Sequence, residues 1–417
     1  MAIERRFYDG PASRSSRAPH PEGRAAVRAR GGGSREGRRH IMRVKSGRAD
    51  RGSVRGRAAE GYAEGARPSA VAAVSGQWLV RGKDGRLAAY ARYAGGVLRW
   101  TETRPGGPEW SGPDLFEVPH LTHLSLAQGA DGYVHFLGRR SVPKGDGPPV
   151  VDVVHAIQYQ SGRGLTSWHS LGNPRKNSDQ ASGLGAPVGV VGPTGLVHFF
   201  VRTGAGGVML RRDDKAGVWG SWHNMNARGA EEGMAVTLGP AGTVDLLVPG
   251  PGVAMHWRQS APNGGFTRER DIPVQMAPGS VTALATAPDR CTYYWTDPVT
   301  GGVVAHRVGG WLIPLGGAPA EGPVSVLRTV LDGYDCTVLA HRDTDGHVML
   351  AACGTEGEEG GLWWSPAGER TSMAPALATD HAGRVVLASI GLDGALYIAR
   401  QSPEPGLAMG PARQISH

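Results

Sequence analysis

The sequence predicts an all-β protein: a seven-bladed β-propeller of four-stranded antiparallel blades, preceded by a disordered basic N-terminal tail. Three observations carry that prediction. Gly (65 residues) and Pro (30) are too abundant in 417 residues for a helical protein and suit many short strands joined by tight turns. One strand-like motif recurs seven times at a spacing of about 47 residues. The basic excess of the chain is confined to its first 67 residues.

The tail comes first in the chain. Residues 1–67 hold 16 Arg and one Lys against seven acids, whereas the remainder holds 28 basic and 30 acidic residues. The segment is mostly Arg, Gly, Ala, Ser and Glu without apolar periodicity, and such a stretch buries too little surface to offset the entropy of ordering it. It reads as a solvated arm. Two other readings stand beside that one. Met42 is an alternative start, which would make residues 1–41 non-native. The arm could also attach weakly to nucleic acid or another acidic surface, although no aromatic interleaving supports base stacking. No apolar run reaches the roughly 18 residues of a membrane span. No hydrophobic signal-peptide core is visible, so the expected location is the cytoplasm or outside by non-classical export.

The propeller is expected over 68–417. Each unit has a small turn residue followed by an alternating apolar strand, as in Gly85-Arg86-Leu87-Ala88-Ala89-Tyr90 and Gly195-Leu196-Val197-His198-Phe199-Phe200. The units begin at Gly85, Gly132, Gly195, Gly242, Asp289, Tyr334 and Gly383, at intervals of 47, 63, 47, 47, 45 and 49. The long second interval is assigned to an insertion at 139–154, around Pro143 to Pro149. A small-residue strand precedes each motif, as at 186–191 and 280–285. Another follows it after a turn such as Gly206-Gly207 or Asp393-Gly394, which supplies the positive φ a hairpin needs. A short fourth strand completes the unit, and four strands repeated seven times is the pattern of one sheet per blade.

The fourth strand carries an aromatic residue in six units: Trp110, Trp168, Trp222, Phe266, Trp311 and Trp363, with Ala408 in the seventh. Repetition at one place per blade reads first as packing, since a flat side chain wedged between sheets fills the gap that widens toward the rim. The same residues are also candidates for recognition.

Units such as Gly217-Val218-Trp219-Gly220-Ser221-Trp222, 165–172 and 310–317 resemble the W-x-x-W-x-x-L-G-G strand of Photorhabdus lectin-like bacterial propellers. Asp84-Gly85-Arg86-Leu87-Ala88-Ala89-Tyr90-Ala91-Arg92 is similar to that family's D-G-x-L-x-V-F-A-R run. The resemblance spans roughly 69–417. It implies a non-catalytic, seven-bladed lectin that holds sugars, often fucose-type, in shallow pockets between neighbouring blades. Trp110, Trp168, Trp222, Trp311 and Trp363 would then be the carbohydrate-stacking residues. Blade four departs from the pattern with Phe266 and Arg268-Glu269-Arg270, and blade seven lacks the aromatic, which leaves up to five pockets.

Chemistry of other kinds finds little support. The expected innermost strands (71–75, 121–126, 188–191, 234–238, 281–285, 324–328 and 375–379) contain no Asp or Glu, so the carboxylate pair of a propeller glycosidase is missing. No phosphate-binding loop, metalloprotease motif or nucleophile elbow occurs. No cofactor or metal is expected. His135 and His198, on second strands, read as surface or hydrogen-bonded histidines with no second ligand in register. Cys291 and Cys336 align with Val134, Val197, Val244 and Val385. A turn centred on Thr344-Asp345 would set Cys336 opposite Cys353, close enough for a disulfide in an oxidising compartment. The expected function is glycan binding without catalysis. The alternative is a protein-interaction scaffold that has lost its sugar sites and docks a partner through the blade-two insertion.

Overall fold

A computed structural model describes residues 71, 74–176, 178–215 and 218–415. The expected tail, with Met42, lies outside the described residues. Seven antiparallel sheets follow one another along the chain. Blade one is built from Leu79–Arg81, Leu87–Tyr93, Gly96–Glu102 and Trp110–Glu117, and blade two from Leu121–Gln128, Val134–Lys144, Gly147–Gln158 and His169–Gly172. Blade three has Val188–Val191, Val197–Arg202 and Val208–Lys215, with its outermost strand split into Val218–Trp219 and His223–Asn224. Blade four comprises Ala235–Leu238, Val244–Gly250, Val253–Gln259 and Phe266–Arg268; blade five comprises Thr282–Ala287, Arg290–Thr296, Val303–Arg307 and Ile313–Gly316. Ser325–Leu331, Tyr334–Arg342, Val348–Gly354 and Ser365–Pro366 form blade six, and Ala376–Thr379, Val385–Ile390, Leu396–Arg400 and Arg413–Ile415 form blade seven. The first strands of successive blades are neighbours in a ring, and blade one closes directly against blade seven. This is a seven-bladed propeller.

Strand alternation builds the core, because successive side chains on a strand face opposite neighbours. In blade three Val197, Phe199 and Val201 pack with Leu137, Val151 and Val153 of blade two. Phe200 turns the other way, against Val244, Leu246 and Val248 of blade four. The hydrophobic core is therefore a stack of inter-blade layers.

The second layer of order is polar. At the outer end of the third strand, Gln259 accepts from Val244 N at 3.0 Å and donates to Gly264 O at 3.2 Å. Gln401 repeats this in blade seven, accepting from Val385 N at 3.1 Å and donating to Gly406 O at 2.7 Å. In blade one the same place is held by Glu102, which accepts from Leu87 N at 2.8 Å and Gly106 N at 3.3 Å and pairs with Arg400 of blade seven. Each of these side chains, buried for Glu102 and Gln259 and half-buried for Gln401, pins the start of the second strand to the outer loop and satisfies backbone donors that burial would otherwise leave unpaired.

Several expectations need correction. Blade one's first strand was expected at 71–75, but the ladder forms at Leu79–Arg81, because the Gly82–Gly85 turn that ends it has the same geometry as the turns of blades two, three, four and seven. Ser75 instead bridges Ser125 of blade two in parallel. The surplus of blade two lies partly in a long hairpin and partly in the connection 173–187, which carries the short helix Ser178–Ser182. In blade six the register is Cys336↔Gly354 and Thr337↔Cys353, one residue away from the expected Cys336–Cys353 pair. The cause is the turn, which closes as a five-residue loop with Asp343 N bonded to His347 O at 2.9 Å. One residue of slip puts the two thiols on opposite faces. Cys336 packs toward blade seven beside Leu387 and Cys353 toward blade five beside Tyr294, and all three cysteines are free. Cys336 thus faces the following blade, whereas Cys291 packs against blade four like its counterparts.

Candidate functional site

Between neighbouring blades the outer strands diverge, and two grooves of equivalent construction open at the rim. The groove between blades six and seven has a volume of about 860 Å³ and is walled by Leu350, Ala352, Ser365 and Pro366 on one side and residues 406–410 on the other. The groove between blades three and four, about 390 Å³, has Leu210, Arg212, His223 and Asn224 in the corresponding places, facing Gly264, Gly265 and Phe266. The pairings Leu350↔Ser365 and Leu210↔His223 occupy the same position in their blades. The Gln401–Gly406 and Gln259–Gly264 bonds anchor the opposite wall in both.

Trp363 and Tyr334 both line the larger groove, and they are 85% and 74% exposed. Asp332 donates nothing here; its Oδ2 accepts from Gly406 N at 2.6 Å and ties blade six to blade seven at one end of the groove. Large flat apolar faces left in water beside polar rims are unusual on a monomer surface and mark contact sites.

The aromatics that align in sequence fall into three structural classes. Trp168 and Trp222 are half-buried wedges, edge-on to Phe136 at 6.2 Å and Phe199 at 6.3 Å. Trp364 is the corresponding wedge of blade six and donates from Nε1 to Leu315 O at 2.8 Å. Trp110 and Phe266 sit opposite the buried polar residues Glu102 and Gln259, as Trp219 sits opposite Asp213. Trp311 is 92% exposed and, like Trp363, points away from the core. Trp219 and Trp364 escape a sequence reading that takes one aromatic per unit; a second Trp one or three residues from the first was the available signal.

Chemistry at buried polar groups is closed off. Asp245 accepts from His256 Nε2 at 2.6 Å, Tyr293 Oη at 3.0 Å and Arg258 Nε at 3.0 Å, between blades four and five. Burial opposes ionisation of Asp245, but His256 and Arg258 outweigh it and hold its carboxyl below the usual range. Burial, reinforced by Asp245, pushes the Cys291 thiol up to about 12, so it supplies no thiolate at neutral pH. Asp245, His256, Tyr293 and Cys291 are all buried, and Arg258 is the member of the network that reaches solvent. Among the described residues the first strands present no Asp or Glu.

His135 and His198 are buried rather than at the surface. His135 Nδ1 lies 3.1 Å from His155 Nε2, with the two rings stacked at 5.3 Å, so a second imidazole is in reach after all. Burial lowers the two to about 4 and about 3, with His135 adding to the effect on His155. His198 Nε2 lies 3.0 Å from Gln259 Nε2. Among the described residues the one metal-like cluster is Asp343, Asp345 and His347, and two backbone amides already bind Asp343 within that turn.

No family model and no curated protein sequence matches this chain. Among solved structures it is similar to the SapL1 lectin in complex with α-methyl fucoside, at 13% identity, covering 82% of this chain and 96% of that one with a TM-score of 0.43. It is also similar to an ulvan lyase of a new polysaccharide lyase family (12% identity, 83% and 96% covered, TM-score 0.47). A third is a Hadza microbial sialidase (13% identity, 79% and 73% covered, TM-score 0.46).

Proposed function

We propose that this propeller is a non-catalytic carbohydrate-binding protein of the kind its resemblance to Photorhabdus lectin-like propellers implies, holding sugars in shallow inter-blade grooves. The observation that carries the reading is the groove between blades six and seven, where Trp363 and Tyr334 offer exposed aromatic faces. The C–H face of a pyranose stacks on such a ring, while Ser365 and groove backbone are within the same lining to meet hydroxyls. Trp363 is the principal stacking residue and Trp311 a second, more open platform. Trp110, Trp168 and Trp222 contribute the edges that their half-buried packing leaves accessible. Weak single sites of this kind gain strength through multivalency. The acid-free first strands and the buried Asp245 network support binding without turnover.

A glycan-array screen of the full chain beside Trp363→Ala tests this. Binding to a defined set of neutral sugars, fucosylated ones included, that falls at least about tenfold in the folded variant supports the reading. Equal binding by the variant, or none by either protein, refutes it. A protein-docking role is the second reading, favoured by the projecting blade-two hairpin with its exposed Val150; loss of a captured partner on deleting residues 143–149 would favour it.

A further inference from the structure

A third cavity lies away from the rim grooves, on the side of the propeller where the turns between first and second strands gather. It has a volume of about 450 Å³ and is lined by Arg81, Lys83, Gln128, Ala130, His381 and the glycines of two of the three turns that meet there. Those turns belong to blades one, two and seven and share one geometry: Gly85 N bonds Gly82 O at 3.0 Å, Gly132 N bonds Gly129 O at 2.9 Å, and Gly383 N bonds Asp380 O at 3.0 Å. Blades three and four repeat it, with Gly195 N to Gly192 O at 3.0 Å and Gly242 N to Gly239 O at 2.8 Å.

The shared geometry makes the side chains directly comparable. The second turn position is Ala130 in blade two, Pro193 in blade three and Pro240 in blade four, but Lys83 in blade one and His381 in blade seven. The residue before the turn is Gln128, Val191 or Leu238 in blades two to four and Arg81 in blade one. Basic side chains have therefore been placed where blade one meets blade seven, at positions the repeat otherwise fills with small, apolar or amide residues. Gly132, with φ +78°, lets blade two approach the Lys83 backbone, which a Cβ there would meet at 3.1 Å.

Among the described residues no carboxylate is paired with this cluster of Arg81, Lys83 and His381. Arg81 donates to the backbone carbonyl of Asp380 at 2.7 Å. Two nearby acids are paired elsewhere, Asp84 with Arg86 and Asp380 with Arg384 and Arg400, while Asp131 accepts from Tyr133 N within its own turn. Three basic side chains arriving from two blades suit the several oxygens of a tetrahedral oxyanion better than the two of a carboxylate, while Gln128 Nε2 is committed to Arg81 O at 2.8 Å and Gly132 O at 3.2 Å and braces the wall behind them. The cavity is also much larger than one such ion, so room remains for what the ion is attached to.

We infer that the junction of blades seven, one and two is an oxyanion site, which takes a phosphate or sulfate group, free or as the monoester of a larger ligand. The site is independent of glycan stacking in the rim grooves and goes beyond that function. Isothermal titration of the full chain with inorganic phosphate, inorganic sulfate and glucose 6-phosphate tests it, alongside Lys83→Ala, His381→Ala and the exposed hairpin control Lys144→Ala. Lys83 and His381 are exposed, so folding is preserved, which the melting temperature verifies. The expected result is saturable one-to-one binding that weakens at least about tenfold in either site variant, is unchanged in the control and declines with added salt. Tighter binding of glucose 6-phosphate than of inorganic phosphate identifies the ligand as a monoester; equal affinity identifies the free ion. Absence of saturable binding, or equal loss in Lys144→Ala, overturns the inference.

Discussion

Replacing Arg400 by Met isolates the contact that closes the ring. The Glu102 side chain is fully buried and Arg400 is its one ionic partner among the described residues, while Asp380, the other acid that Arg400 reaches, keeps Arg384 at 2.7 Å and two backbone donors. Met preserves much of the aliphatic stem and removes the guanidinium, leaving the Glu102 carboxylate buried with two amide donors. Breaking a buried pair in this way costs about 3–5 kcal/mol. At about 2.1 cal/mol/K per residue, the unfolding entropy of a propeller this size makes 1 kcal/mol worth about 1.4 °C, so the melting temperature should fall by about 4–7 °C. The second half of the test uses the repeat. Gln259 and Gln401 do the work of Glu102 in blades four and seven without any charge. Glu102→Gln added to Arg400→Met should therefore recover at least half of the loss, a coupling read from the four-protein cycle by thermal melting. A fall below about 1 °C in Arg400→Met, or a double variant no more stable than the single, would refute the reasoning.

Other outcomes follow from the same structure. Trp363→Ala should leave stability within about 0.5 kcal/mol because its ring is in solvent, whereas Trp222→Ala should lose about 2 kcal/mol of packing against Phe199 and blade two; urea melts of both separate platform from wedge. His135 and His155 are held neutral when folded, so the unfolded chain takes up protons first as pH falls below about 6.5. The stability they permit is complete above that pH and is lost as pH falls toward about 4 and then 3. Melts at pH 7 and 4.5 should accordingly show a smaller acid loss in His155→Phe than in the parent, and an unchanged loss would contradict the buried pair. Burial raises the thiols of Cys291 and Cys353 to about 12 and also raises that of Cys336. Cys291 and Cys353 should resist alkylation in folded protein and react when it unfolds, with no mass change on reduction.

Much of the fold was legible because a propeller repeats. Leu87, Val134, Val197, Val244, Cys291 and Val385 share a spacing and a burial, and each follows a turn that glycine or a short loop permits. The candidate site was less legible. Six aromatics aligned by counting residues, yet the irregular pairing of the outermost strands in blades three and five and the 355–364 connection of blade six shift them by one to three places. A shift of one residue exchanges a wedge for an exposed ring. Trp363 and Trp364 are adjacent in sequence and opposite in fate.

Turn chemistry and strand periodicity are local, so the sequence by itself determined the number of blades, the order of strands within each and the absence of carboxylates along the first strands. Everything that depended on two distant segments meeting was decided by the tertiary structure. Closure of the ring brings Glu102 to Arg400 across almost 300 residues, beside Trp78 Nε1 donating to Ala374 O and Arg81 to Asp380 O. The pairing of His135 with His155, the separation of Cys336 from Cys353, and the convergence of Arg81, Lys83 and His381 on one cavity have the same origin. Register and blade order fix these encounters to within a single residue, and alternation of side chains across a strand turns a one-residue difference into a change of face.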